Sequence, residues 1–158
     1  MGMRVSEVLT VDTIIVRPPW TTFDDAVDGL VKQLVTARCL PPDLSAEAGR
    51  HVREREAVAS TAMVNIGVSI PHARLDGIRG IIAALAVSPR AVYQVADGLP
   101  IPLVALVLSS PALTGEHLNF LSALSLLLQS ARTRDRLRNA STAAEVLEII
   151  SRSEQARR

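Results

Sequence analysis

Residues Leu103–Leu108 read Leu-Val-Ala-Leu-Val-Leu, six apolar side chains with no polar residue between them. A strand with one face in water alternates apolar and polar residues. A strand that is apolar throughout is covered on both faces. Ile81–Val87, "IIAALAV", has the same character. The two runs predict buried strands in a sheet sandwiched by helices. A third apolar run, Ile66–Ile70, stops at Pro71, with His72 immediately after it. A short strand is expected over Asp12–Arg17, closed by Pro18-Pro19. Between the two longest runs lies "AVYQVADGLPIP", residues 91–102, whose Asp97-Gly98 turn predicts a hairpin beside the main sheet.

Helices flank these strands in the chain. Phe23, Val27, Leu30, Val31, Leu34 and Val35 fall at helical spacing behind an N-cap at Thr21 or Thr22. A second helix is predicted from about Leu44 to Glu56. The last third is helical. His117, Leu121, Leu124 and Leu128 share one face of a helix that begins near Thr114. A short basic helix is expected from Thr133 to near Asn139. The capping box Thr142-Ala143-Ala144-Glu145 opens the final helix. The pattern gives an α/β fold: a mixed, mostly parallel sheet sandwiched between helices, in one domain over residues 1–158.

The net charge of +1 gives no support for nucleic-acid binding. The late arginines, Arg132, Arg134, Arg136 and Arg138, read as a solvated helix face. The lone Cys39 excludes an internal disulfide, fits a reducing compartment and reads as a structural thiol. No run is long and apolar enough to suggest a membrane span, and no signal-peptide pattern is visible. The expected location is the cytoplasm.

Chemistry must come from few residues. His51 sits among charges in "GRHVRERE" and reads as a solvated surface histidine. His72 stands where Pro71 is expected to end a buried strand, at the edge where ligands bind in open α/β sheets. His117 follows the strand Leu103–Leu108 through a short loop and lies in the first turn of a helix. If the strands ending at Ile70 and Leu108 run parallel, the two histidines meet. The helix N-terminus would disfavour the charged form of His117. Arg55, Ser60, Thr61, Asn65, Ser69 and Arg74 are the polar residues in reach, and they suit an anion better than a metal. No compact metal-ligand spacing, P-loop, dinucleotide fingerprint or nucleophile elbow is present. A histidine nucleophile with phosphate-friendly neighbours remains.

The segment "REAVASTAMVNIGVSIPHAR", Arg55–Arg74, resembles the active-site segment of the enzyme IIA proteins of the bacterial phosphotransferase system, in the fructose, mannitol and nitrogen-related class. Arg55-Glu56, Ser60-Thr61, Gly67 and Pro71-His72 carry the likeness. "VADGLPIPLVALVL", "GEHLNFLSALSLLL" and "STAAEVLEII" extend it over nearly the whole chain. The interval from Ser60 to His72 is about one residue longer than usual for that class. The resemblance implies a phosphocarrier: His72 accepts a phosphoryl group from a histidine phosphocarrier protein and passes it to an enzyme IIB partner for sugar uptake. In the alternative, a regulatory protein of the nitrogen-related type binds other proteins according to its phosphorylation state. His117 and Arg55 would support catalysis, and Ser60, Thr61 and Asn65 would bind the phosphoryl group. No cofactor, metal, nucleic acid or direct membrane insertion is implied. Ile70, Pro71 and the loop Ser109–Gly115 are expected to form the rim of a shallow apolar depression around His72.

Overall fold

The computed structural model describes residues 3–157. Its centre is the pair β4 (Ile81–Val87) and β7 (Leu103–Ser109), antiparallel over seven residue pairs. β1 (Ile14–Val16) lies parallel to β4 on one side. On the other side β2 (Val68–Ser69) and β3 (His72–Arg74) run parallel to β7. Three of the four pairings are parallel, and the sheet is mixed as expected. The hairpin predicted around Asp97-Gly98 is β5 (Tyr93–Gln94) against β6 (Pro100–Ile101), with both turn residues at φ 72°.

The two apolar runs are explained by what covers them. Side chains alternate across a strand, so each run feeds two cores. Ala83, Leu85, Val87, Leu103, Ala105 and Val107 pack with α1 (Val5–Val8), α4 (Thr114–Leu128), α5 (Ala131–Arg138) and α6 (Ala143–Ala156). Ala84, Ala86, Val104, Leu106 and Leu108 pack with α2 (Phe23–Thr36) and α3 (Ser45–Val58). Capping follows the sequence closely: Thr22 accepts from the Asp25 N–H at the start of α2, and Thr142 accepts from the Glu145 N–H at the start of α6. The basic helix begins earlier than expected, at Ala131, because Ser130 caps it through the Thr133 N–H. Its arginines are not all solvated. Arg134 donates to the Leu128 and Gln129 carbonyls, and Arg138 donates to the Pro89 carbonyl.

One expectation is corrected. Pro71 interrupts the strand without ending it. The Pro71 carbonyl accepts from the Val107 N–H at 3.0 Å, and β3 resumes with His72 opposite Val107. The strand lies at the sheet edge, where a proline's missing N–H deprives no neighbour. His72 is therefore held within the ladder, and Leu75 still donates to the Ser109 carbonyl.

Candidate active site

β3 and β7 run parallel, so their carboxyl ends reach the same edge of the sheet, where α4 begins. His72 comes from β3 and is half-buried. Its Nδ1 lies 2.8 Å from the Ile70 carbonyl oxygen. A carbonyl only accepts, so Nδ1 carries the proton of the neutral ring and the lone pair is on Nε2. His117 comes from α4 and is 5% exposed. The two ring centroids are 5.6 Å apart, tilted by 54°. His117 Nδ1 lies 2.5 Å from the buried hydroxyl of Ser109, the last residue of β7.

Burial holds His117 neutral, lowering its pKa from 6.5 to about 4, and the nearby Arg74 and His72 add to the effect. The expected cause was the helix N-terminus; desolvation is the main one. Arg74 follows His72 by two residues and so shares its face of β3. Its Nη2 donates to the Ser110 and Pro111 carbonyls at 3.2 and 2.8 Å and to Thr114 Oγ1 at 3.3 Å. It ties β3 to the loop that launches α4. Its Nε is buried without a partner.

α3 supplies the other wall. His51, Glu54 and Arg55 line an open depression of about 350 Å³ together with His72, Ala73, Arg74 and His117. Arg55 Nη1 donates to the Ala59 carbonyl at 3.1 Å, capping the helix end. His51 is not merely solvated: it is half-buried, and its Nδ1 donates to the Arg74 carbonyl at 3.1 Å. The structure thus brings Arg55, His72 and His117 to one depression. It places the other sequence candidates differently. Ser60 and Thr61 spend their hydroxyl protons on the Glu56 carboxylate, at 3.0 and 2.9 Å. Asn65 lines a separate depression with Pro100, Pro102, Arg134 and Arg138. Ile70 and Pro71 are buried and do not line this depression. Arg74 was among the polar residues expected in reach, whereas His51 was read as a surface residue, although the sequence held a signal for each. Arg74 has strand spacing from His72, and His51 lies one helical turn before Arg55. Ser109 was expected only in the rim loop; its bond to His117 is made by the β7–α4 connection.

Residues 7–153 match the family described as "Phosphoenolpyruvate-dependent sugar phosphotransferase system, EIIA 2". The chain belongs to this family. Among EIIA 2 relatives, the nitrogen regulatory protein of Pseudomonas aeruginosa is 31% identical over 149 residues, covering 94% of this chain and 95% of that protein. The crystal structure of the nitrogen regulatory protein IIA-Ntr from Neisseria meningitidis superposes with a TM-score of 0.79 at 26% identity, over 92% of this chain and 98% of that one. The fold is shared with enzyme IIAMTL of Escherichia coli, solved in complex with phosphorylated enzyme IIBMTL. That match has a TM-score of 0.73 at 20% identity, over 90% of this chain and 96% of the other. Among the described residues, no helix of this EIIA 2 protein is long and apolar enough to cross a membrane, and no cluster of three His, Cys, Asp or Glu residues is placed to hold a metal.

Proposed function

We propose that the protein is a phosphocarrier of the phosphoenolpyruvate-dependent phosphotransferase system and that His72 Nε2 accepts the phosphoryl group. One observation carries this reading. The Ile70 carbonyl accepts the Nδ1–H hydrogen bond, which leaves Nε2 as the nucleophilic atom in an open depression. In the transfer, Nε2 forms a bond to phosphorus while the donor's P–N bond breaks, and its electron pair returns to the donor's imidazole. No proton need move. Positive charge develops on the His72 ring, and the Nδ1–H bond to Ile70 stabilises it. Transfer of this kind needs positioning and charge stabilisation more than covalent chemistry. Arg55 and Arg74 supply cationic donors beside the phosphoryl oxygens. The Ser109 hydroxyl, donating to His117 Nδ1, would put that ring's proton on Nε2, where it donates to the same group. Ser60 and Thr61 are left a supporting role, and Asn65 is not needed.

The donor in this reading is a histidine phosphocarrier protein, and the acceptor is an enzyme IIB partner of a sugar transporter. The regulatory reading, in which phosphorylation state controls binding to other proteins, is favoured by the 31% identity to a nitrogen regulatory protein. Intact mass after incubation with phosphoenolpyruvate and the two general phosphotransferase proteins tests the common core. One acid-labile phosphoryl group is expected, and none on His72→Ala. Full labelling of His72→Ala would overturn the assignment. Loss of the label on adding sugar with matching IIB and membrane subunits selects the transport reading. A label that persists under those conditions selects the regulatory one.

A further inference from the structure

We infer that Glu56 and Thr61 are positioning residues that fix the proton of His72 on Nδ1, acting through the backbone of Ile70. This rests on the reading of His72 Nε2 as the phosphoryl acceptor.

Glu56 is in an unexpected place. It lies in the last turn of α3, where a carboxylate opposes the helix dipole. It is half-buried and faces into the chain that leaves the helix. There it accepts three hydrogen bonds, from the Ser60 hydroxyl at 3.0 Å, the Thr61 N–H at 2.8 Å and the Thr61 hydroxyl at 2.9 Å. A residue placed against local preference and then fully engaged has a role beyond the helix.

The direction of each bond is forced. A carboxylate only accepts, so the single Thr61 O–H points at Glu56. The hydroxyl's lone pair then faces the Ile70 N–H, which it accepts at 3.2 Å. Ile70 lies in the gap between β2 and β3 on the outer edge of the sheet, and Thr61 Oγ1 is the partner its N–H finds there. Pro71 follows and fixes its own φ, which stiffens the link to His72. With its N–H held by Thr61, Ile70 presents its carbonyl to His72 Nδ1 at 2.8 Å. An unconstrained neutral histidine samples both tautomers. Only the Nδ1–H form leaves Nε2 free to attack.

The test reads the tautomer directly, by long-range proton–nitrogen correlation of the His72 ring at mildly alkaline pH, alongside the rate of phosphoryl uptake. Wild type is expected to show Nδ1–H alone. Thr61→Val removes the hydroxyl while keeping the shape. It should give a mixture of tautomers and an uptake rate lower by roughly tenfold or more, the scale seen when outer partners that orient metal-bound histidines are removed. Thr61→Ser keeps the hydroxyl and should keep the wild-type tautomer, which a purely steric role for the side chain would not. The His117 signals should stay in place in all variants, separating this effect from general loosening. If Thr61→Val does not fold, Glu56→Gln carries the same comparison. A pure Nδ1–H tautomer in Thr61→Val, or in Glu56→Gln should Thr61→Val not fold, would overturn the inference. Failure of wild type to take up phosphate would instead remove the functional reading, and the tautomer spectra would still decide the role of Thr61.

Discussion

His72 and His117 are chemically alike and are placed in opposite environments. His72 is half-buried at a sheet edge with one nitrogen tied to backbone; His117 is 5% exposed beneath it with one nitrogen on Ser109. The burial of His117 has a consequence for stability. The unfolded chain takes up this proton below about 6.5, the native chain only below about 4. Between those values the unfolded chain binds more protons, so stability is full above the window and falls as pH drops through it. Urea unfolding from neutral pH down to about 4 should show this decline, and His117→Gln should flatten it. An unchanged slope in the variant would mean that other groups dominate. At this scale the sequence was informative about which two histidines meet, because Pro71-His72 and a first-turn histidine after a buried strand are local signals. It placed Ser109 only in the rim loop, without its bond to His117, and it was misleading about His51. The bonds of both are made to residues distant in the chain or across elements, which no spacing rule displays.

Between residues and whole molecule, the informative element is the β2–Pro71–β3 edge and the turn that leads into it. Met63 and Val68 pair across this turn, and Gly67 donates to the Met63 carbonyl at 2.9 Å. Gly67 has φ 68°, and a Cβ there would lie 2.8 Å from Pro102 Cδ. Both facts require glycine, one through backbone conformation and one through space. Gly67→Ala should therefore destabilise the protein by about 2 kcal/mol or more, read as a lower urea midpoint at unchanged slope. A variant as stable as wild type would show that the turn relaxes freely. The strand and helix content was legible here: periodicity located α2 and α4, a capping box located the start of α6, and continuous apolar runs located β4 and β7. The continuation of the edge strand past Pro71, as β3, was not. A proline reads as a stop, and only the parallel neighbour β7, by donating the Val107 N–H to the Pro71 carbonyl, shows that pairing continues.

At the scale of the molecule, the site joins two cores. α3 brings Arg55 and His51 from one face of the sheet, α4 brings His117 from the other, and β3 and β7 carry His72 and Ser109 between them. Both cores rest on alternate side chains of the same two strands, β4 and β7. Neither can lose its packing while those strands stay ordered for the other. Residues 3–157 should then unfold as one cooperative unit, and one substitution can test it. Phe120 is fully buried in the core under α4, whereas Trp20, the single tryptophan, packs over Gly29 of α2 on the opposite face. Phe120→Ala leaves a cavity and should cost about 3–5 kcal/mol. In a cooperative unit, Trp20 fluorescence and far-ultraviolet circular dichroism should report the same lowered urea midpoint. If the faces unfold separately, the Trp20 transition would stay at its wild-type midpoint while the dichroism splits into two steps. Coincident transitions would mean that any change loosening one face also disperses the histidine pair, because the strands that hold His72 and Ser109 in register are the floor of both cores.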